Sequence, residues 1–110
     1  MESNRKPTKD EERLLEFLIH KASVGITSNW KTSLLVQPMK DDGMGSLYLF
    51  PDGIEAKNRL FGECVSECQF RDEDDIDVIA SLNVDQNGKL YELDIWKTDF
   101  SPLIRIPKAL

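Results

Sequence analysis

Glu92 and Asp94 stand two residues apart in a stretch that also carries Trp96, Lys97 and Asp99. On a strand, the two carboxylates share one face about 7 Å apart, from the two-residue repeat. Paired carboxylates can perform general acid–base chemistry when one of them is desolvated and its pKa rises. No pattern of residues around them marks a pocket that would do this, and no residue is assigned a catalytic role. The same face reads as a solvated sheet surface, or as a protein-contact surface anchored by Trp96, since tryptophan is a common interface anchor. Lys97 is grouped with this exposed patch. The acidic pair Asp41 and Asp42, in a glycine-containing turn, is a second candidate contact point.

Three other constellations carry less. Asn83, Asp85, Asn87, Gly88, Leu90 and Asp94 fall at positions 1, 3, 5, 6, 8 and 12 of a calcium loop, with Glu92 at position 10. However, position 1 is Asn, position 12 is the short Asp, and the flanks alternate like strands where such a loop needs helices. Cys64 and Cys68 on a strand share a face about 13 Å apart, too far for a disulfide, and read as small apolar residues. His20 is the only histidine and reads as a helix-end residue. It leaves no Ser-His-Asp or Cys-His arrangement to build. No metal and no cofactor are assigned.

The elements that position these residues follow from periodicity. Residues 1–7 read as a flexible arm and residues 8–110 as a single domain. Thr8 and Glu11 form a T-x-x-E capping box, with acids at residues 10–12 where the helix dipole favours them. Leu14, Leu15, Leu18, Ile19 and Ala22 then follow at helical spacing, with Gly25 as a stop. Trp30 is expected to pack this helix on a sheet. Ser33–Met39 reads as a first strand, placed at an edge by Pro38. Ser46–Phe50 is the return strand. Residues 54–60 fit a short helical turn or a loop. Phe61–Phe70 is a third strand, for which a helix also fits.

The fourth and fifth strands, Ile76–Asp85 and Lys89–Lys97, flank Asn87-Gly88. That dipeptide fits a two-residue type I′ turn, whose two central residues both take positive φ. Its register pairs Val84 with Tyr91, Leu82 with Leu93 and Ala80 with Ile95 on a buried face. The other face pairs Asn83 with Glu92, Ser81 with Asp94 and Ile79 with Trp96. The expected fold is α+β: an N-terminal amphipathic helix on an antiparallel, mostly meander sheet of about five strands.

The net charge is −6, from 20 acids against 14 bases. Such a surface repels phosphate backbones, which argues against a nucleic-acid partner, and it steers basic ligands toward itself. No run approaches the ~20 apolar residues of a membrane span, and the N-terminus lacks the apolar core of a signal peptide. A soluble, cytoplasmic protein that does not bind membranes is expected.

The pair of stretches Gly43-Met44-Gly45-Ser46-Leu47 and Tyr91–Leu103, the latter reading E-L-D-I-W-K-x-D-F-S-P-L from Glu92, resembles a family of small bacterial proteins. That family is described as a domain of unknown function. The resemblance runs from the capped helix to the tail; it implies a bacterial origin and no activity. Comparable acidic segments ending in such a hairpin also occur in proteins similar to toxin-immunity proteins, which by analogy implies a protein that blocks a basic partner.

The function expected is therefore a small non-enzymatic protein-binding module, with Asp41, Asp42, Glu92, Asp94, Trp96, Lys97 and Asp99 as its contact residues. The alternative is a small ligand-binding domain or enzyme that uses the hairpin carboxylates. A homodimer through the edge strand Ser33–Met39 or the exposed sheet face is a further arrangement the pattern allows.

Overall fold

Thr8 opens helix α1, Lys9–Lys21, in a computed structural model that describes residues 4–53 and 58–110. The capping box is complete: Thr8 Oγ1 accepts from the Glu11 backbone N–H at 3.1 Å, and Glu11 Oε1 accepts from the Thr8 N–H at 2.8 Å. Leu14, Leu15 and Leu18 are fully buried along one face. The helix ends before Gly25, where Ala22 turns to extended backbone. A single turn, α2, spans Trp30–Ser33. Trp30 packs partly buried against the core, and the Lys31 ammonium lies 5.6 Å from its ring centroid.

Five strands form one antiparallel sheet: β1 Leu35–Pro38, β2 Leu47–Phe50, β3 Phe61–Arg71, β4 Asp77–Asp85 and β5 Leu90–Lys97. Their order is β1-β2-β5-β4-β3. The hairpin β1-β2 and the meander β3-β4-β5 are thus joined through β2 and β5. β1 lies at an edge, as Pro38 requires, and is shorter than the sequence pattern suggests. Its outer side is occupied by Arg5, which exchanges two backbone hydrogen bonds with Val36 (2.9 and 2.7 Å). Arg5 also pairs through its guanidinium with Glu11 at 2.7 Å, so a residue of the expected arm is tied to both sheet and helix. Of the stretch 54–60, residues 54–57 lie outside the described residues.

The β4–β5 hairpin corrects the type I′ expectation. Gly88 has φ +78°, while Asn87 is not among the positive-φ residues. Asp85 O accepts from the Gly88 N–H at 3.0 Å, and the Asp85 N–H donates to Lys89 O at 2.8 Å. This is the three-residue loop, a type I turn closed by a left-handed glycine. Asp85 drives it, because its Oδ1 accepts from the backbone N–H groups of Asn87 (2.8 Å) and Lys89 (3.0 Å). Val84 consequently faces Leu90 rather than Tyr91, and a bulge between Asn83 and Val84 restores the register. Beyond it, Asn83–Glu92, Leu82–Leu93, Ser81–Asp94, Ala80–Ile95 and Ile79–Trp96 pair as the sequence predicts.

The core lies between α1 and one face of the sheet. It contains Val36, Leu47, Leu49, Val78, Ala80, Leu82, Leu93 and Ile95 beside the helix leucines. Ile106 of the C-terminal tail also enters it. No helix among the described residues is long and apolar enough to cross a membrane.

Candidate functional site

Because α1 covers one face of the sheet, the alternate residues of each strand turn to the opposite, open face. One cross-strand row there reads Gln37, Tyr48, Glu92, Asn83 and Cys64, from β1 to β3. The next reads Asp94, Ser81 and Glu67, and the next Trp96, Ile79 and Gln69. Glu92, Asp94 and Trp96 therefore lie together, as the hairpin register predicts. Trp96 is 44% exposed. Its ring centroid stands 6.1 Å from that of Phe100, which is 66% exposed just past the end of β5.

The charges on this face are one-sided. Glu67, Glu92 and Asp94 take part in none of the ion pairs formed among the described residues, whereas Arg5, Arg13, Arg59, Arg71 and Arg105 are all paired. Glu67 accepts from Ser81 Oγ at 3.1 Å. Asp94 Oδ1 lies 3.4 Å from Ser46 Oγ, whose closer partner is the Ile95 N–H at 2.8 Å. Arg59 is held by Asp85 (3.0 Å) and by Leu49 O (2.8 Å), with its guanidinium 5.0 Å from the Tyr91 ring.

Lys97 departs from the expected patch. Strand alternation turns it inward with Leu93 and Ile95, and its side chain is fully buried. Its ammonium donates to Asp74 Oδ2 (2.7 Å), Asp72 Oδ2 (2.9 Å) and Pro102 O (3.2 Å). Asp72, also fully buried at its carboxylate, accepts further from the backbone N–H groups of Glu73 (2.8 Å), Ile104 (2.7 Å) and Arg105 (3.1 Å). Burial alone would raise the Asp72 pKa, but these donors outweigh it and hold the carboxyl below its ordinary range. Burial would likewise lower Lys97; the two carboxylates outweigh it and raise its pKa. The cluster is a structural tie between the β3–β4 loop, β5 and the tail.

The remaining candidates sit at the margin. Asp99 accepts from the Ser101 hydroxyl (2.6 Å) and N–H (3.0 Å), and these bonds lower its pKa. Asp41 Oδ2 accepts from the Ser46 N–H at 2.9 Å, and Asp42 is exposed at φ +58°. Their loop meets the tail: Leu103 N–H donates to Gly43 O at 3.0 Å. A Cβ on Gly43 would lie 3.3 Å from Pro102, and one on Gly45 would lie 3.3 Å from Leu103. The G-M-G-S-L and D-F-S-P-L stretches are thus two halves of one packed corner.

Of the other constellations, the calcium-loop residues lie along two strands and the turn between them, and both Asp85 oxygens are already taken by Arg59 and the turn N–H groups. Among the described residues no group of three or more His, Cys, Asp or Glu side chains is placed to hold a metal. Cys64 and Cys68 are both free thiols. Bulges in β3 put Cys64 on the open face opposite Asn83, and Cys68 opposite the core residue Ala80, so they do not share a face. His20 is exposed and lines a groove on the outer side of α1 with Arg13, Phe17 and Lys31.

Residues 4–107 match the family described as Domain of unknown function (DUF6984). The chain belongs to this family. The match takes in α1, all five strands and the tail through Pro107, so the open face and the buried Lys97 cluster both lie within the family's domain. No curated protein and no solved structure matches the chain.

Asn83, Tyr48 and Phe100 belong to the open face although the sequence does not single them out as contact residues. The hairpin register is enough to place Asn83 beside Glu92. The pairing of β2 with β5, which brings Tyr48 to Glu92, has no local signal.

Proposed function

We propose that this domain is a non-enzymatic protein-binding module that takes a basic partner on the open face of its sheet. The observation that carries this reading is the exposed Trp96–Phe100 pair beside the carboxylates of Glu92 and Asp94, which no cation among the described residues neutralises. Exposed aromatic side chains supply apolar contact area at interfaces. Unneutralised carboxylates favour a partner of opposite charge and speed its encounter.

Trp96 itself reports on the binding. In a Trp30→Phe background, its fluorescence is followed while basic and acidic test peptides of equal length are added. A change is expected with basic peptides alone, weakened by salt and by Asp94→Asn. Equal responses to acidic peptides, or no response to any basic peptide, would contradict it.

A further inference from the structure

We infer that the open face recognises an arginine side chain of its partner, held over Asn83 between Glu92, Asp94 and Trp96. This rests on the reading of the face as a docking surface for a basic partner.

Asn83 is the starting point. The residue is only 6% exposed, yet its side-chain amide makes no hydrogen bond among the described residues. Buried polar side chains normally have a partner. The amide is not sealed off either: among the described residues, the enclosed side-chain N or O atom that lacks a partner is Ser66 Oγ. Asn83 therefore keeps an opening to the surface on the face that carries Glu92, its direct cross-strand neighbour.

The groups around that opening select the guest. Ionised Glu92 and Asp94 accept hydrogen bonds and cannot donate, and the Asn83 carbonyl also accepts. A guest must bring several donors and a positive charge. A guanidinium has five N–H donors and no acceptor. It is also flat, so it stacks on an indole while its edge forks onto a carboxylate. Trp96 lies next to Asp94 on the same face at the two-residue spacing of about 7 Å. A lysine ammonium is a compact charge that cannot stack and fork at once. Two nearby bases of the chain are committed elsewhere, since Lys97 turns into the core and Arg59 is held by Asp85.

The test uses three peptides that differ at one central position, carrying arginine, lysine or citrulline, titrated into the intact chain by calorimetry. The expected result is binding of the arginine peptide at least about tenfold tighter than of the lysine peptide, with the citrulline peptide weaker than both. Asp94→Asn and Trp96→Leu, both at exposed positions, should reduce the arginine preference below about threefold. Asn83→Ala should do the same, and the two exposed variants decide the matter if it fails to fold. Equal affinity for the arginine and lysine peptides, both weakened by Asp94→Asn, would overturn the arginine site and leave the basic-partner reading intact. No binding of either charged peptide to the folded protein would overturn both.

Discussion

Lys97 Nζ lies 2.9 Å from Asp72 Oδ2, and neither side chain reaches solvent. A buried ion pair is weak evidence of net stabilisation, but removing one partner leaves an uncompensated charge. Asp72→Ala also strips acceptors from the N–H groups of Ile104 and Arg105. Its expected cost is roughly 3–5 kcal/mol, measured by urea unfolding. Amide exchange at residues 104 and 105 should rise with it. A loss under about 1 kcal/mol, within the range of an exposed pair, would show that the cluster does not hold the tail.

Acid should unfold the protein through the same group. Asp72, Asp85 and Glu11 all have lowered pKa values: burial opposes the shift in each case, and donors outweigh it. The unfolded chain therefore binds protons more readily. The stability these groups contribute is complete above an unfolded pKa of about 4 and is lost as pH falls through the lower folded values. Lys97 works in the other direction. Its contribution is complete below about pH 10 and is lost as pH rises through its raised value. Urea midpoints should be level between these limits and fall on both sides. Asp72→Asn should flatten the acid limb.

Two glycines near the hairpin separate strain from clash. Gly88 has φ +78° and open space where a Cβ would stand. Gly88→Ala should cost about 1–2 kcal/mol through backbone strain, and Gly88→Asn less, because Asn tolerates that region. At Gly62 a Cβ would lie 2.3 Å from Asp85 O. Gly62→Ala must push β3 away from β4, at a cost of about 1–3 kcal/mol, with exchange rising at both strands. Thermal unfolding of the three variants checks the order.

The thiols should react unequally. Cys64 is exposed at the open face, whereas Cys68 is partly buried and burial raises its pKa. Alkylation followed by mass spectrometry should modify Cys64 first. Faster labelling of Cys68 would contradict the inward orientation of that residue.

How far the sequence discloses this molecule depends on how local each signal is. The capping box of Thr8 and Glu11, the alternation of β4 and the pairs from Ile79–Trp96 to Asn83–Glu92 are all legible, since each is written within a few residues. The turn type is not. Asn-Gly suggests type I′, but the Asp85 carboxylate binds two N–H groups of the loop and selects the longer form. The inward turn of Lys97 follows from alternation alone, because it shares parity with Leu93 and Ile95. A lysine nevertheless invites placement in solvent. Its buried partner lies in an acidic run where nothing local distinguishes Asp72 from Glu73 or Asp75. The β2–β5 pairing joins Leu47 to Leu93 and Tyr48 to Glu92 across two intervening strands. No local pattern encodes it.

Docking of a basic partner on the open sheet face is tested most directly by residue-resolved mapping. Backbone amide NMR spectra of the labelled chain would be recorded while an arginine-containing basic peptide is added. The predicted shifts are concentrated at Ile79, Ser81, Asn83, Glu92, Asp94 and Trp96, with the α1 groove around His20 unmoved. Shifts centred on that groove, or spread without preference over the surface, would contradict the docking face.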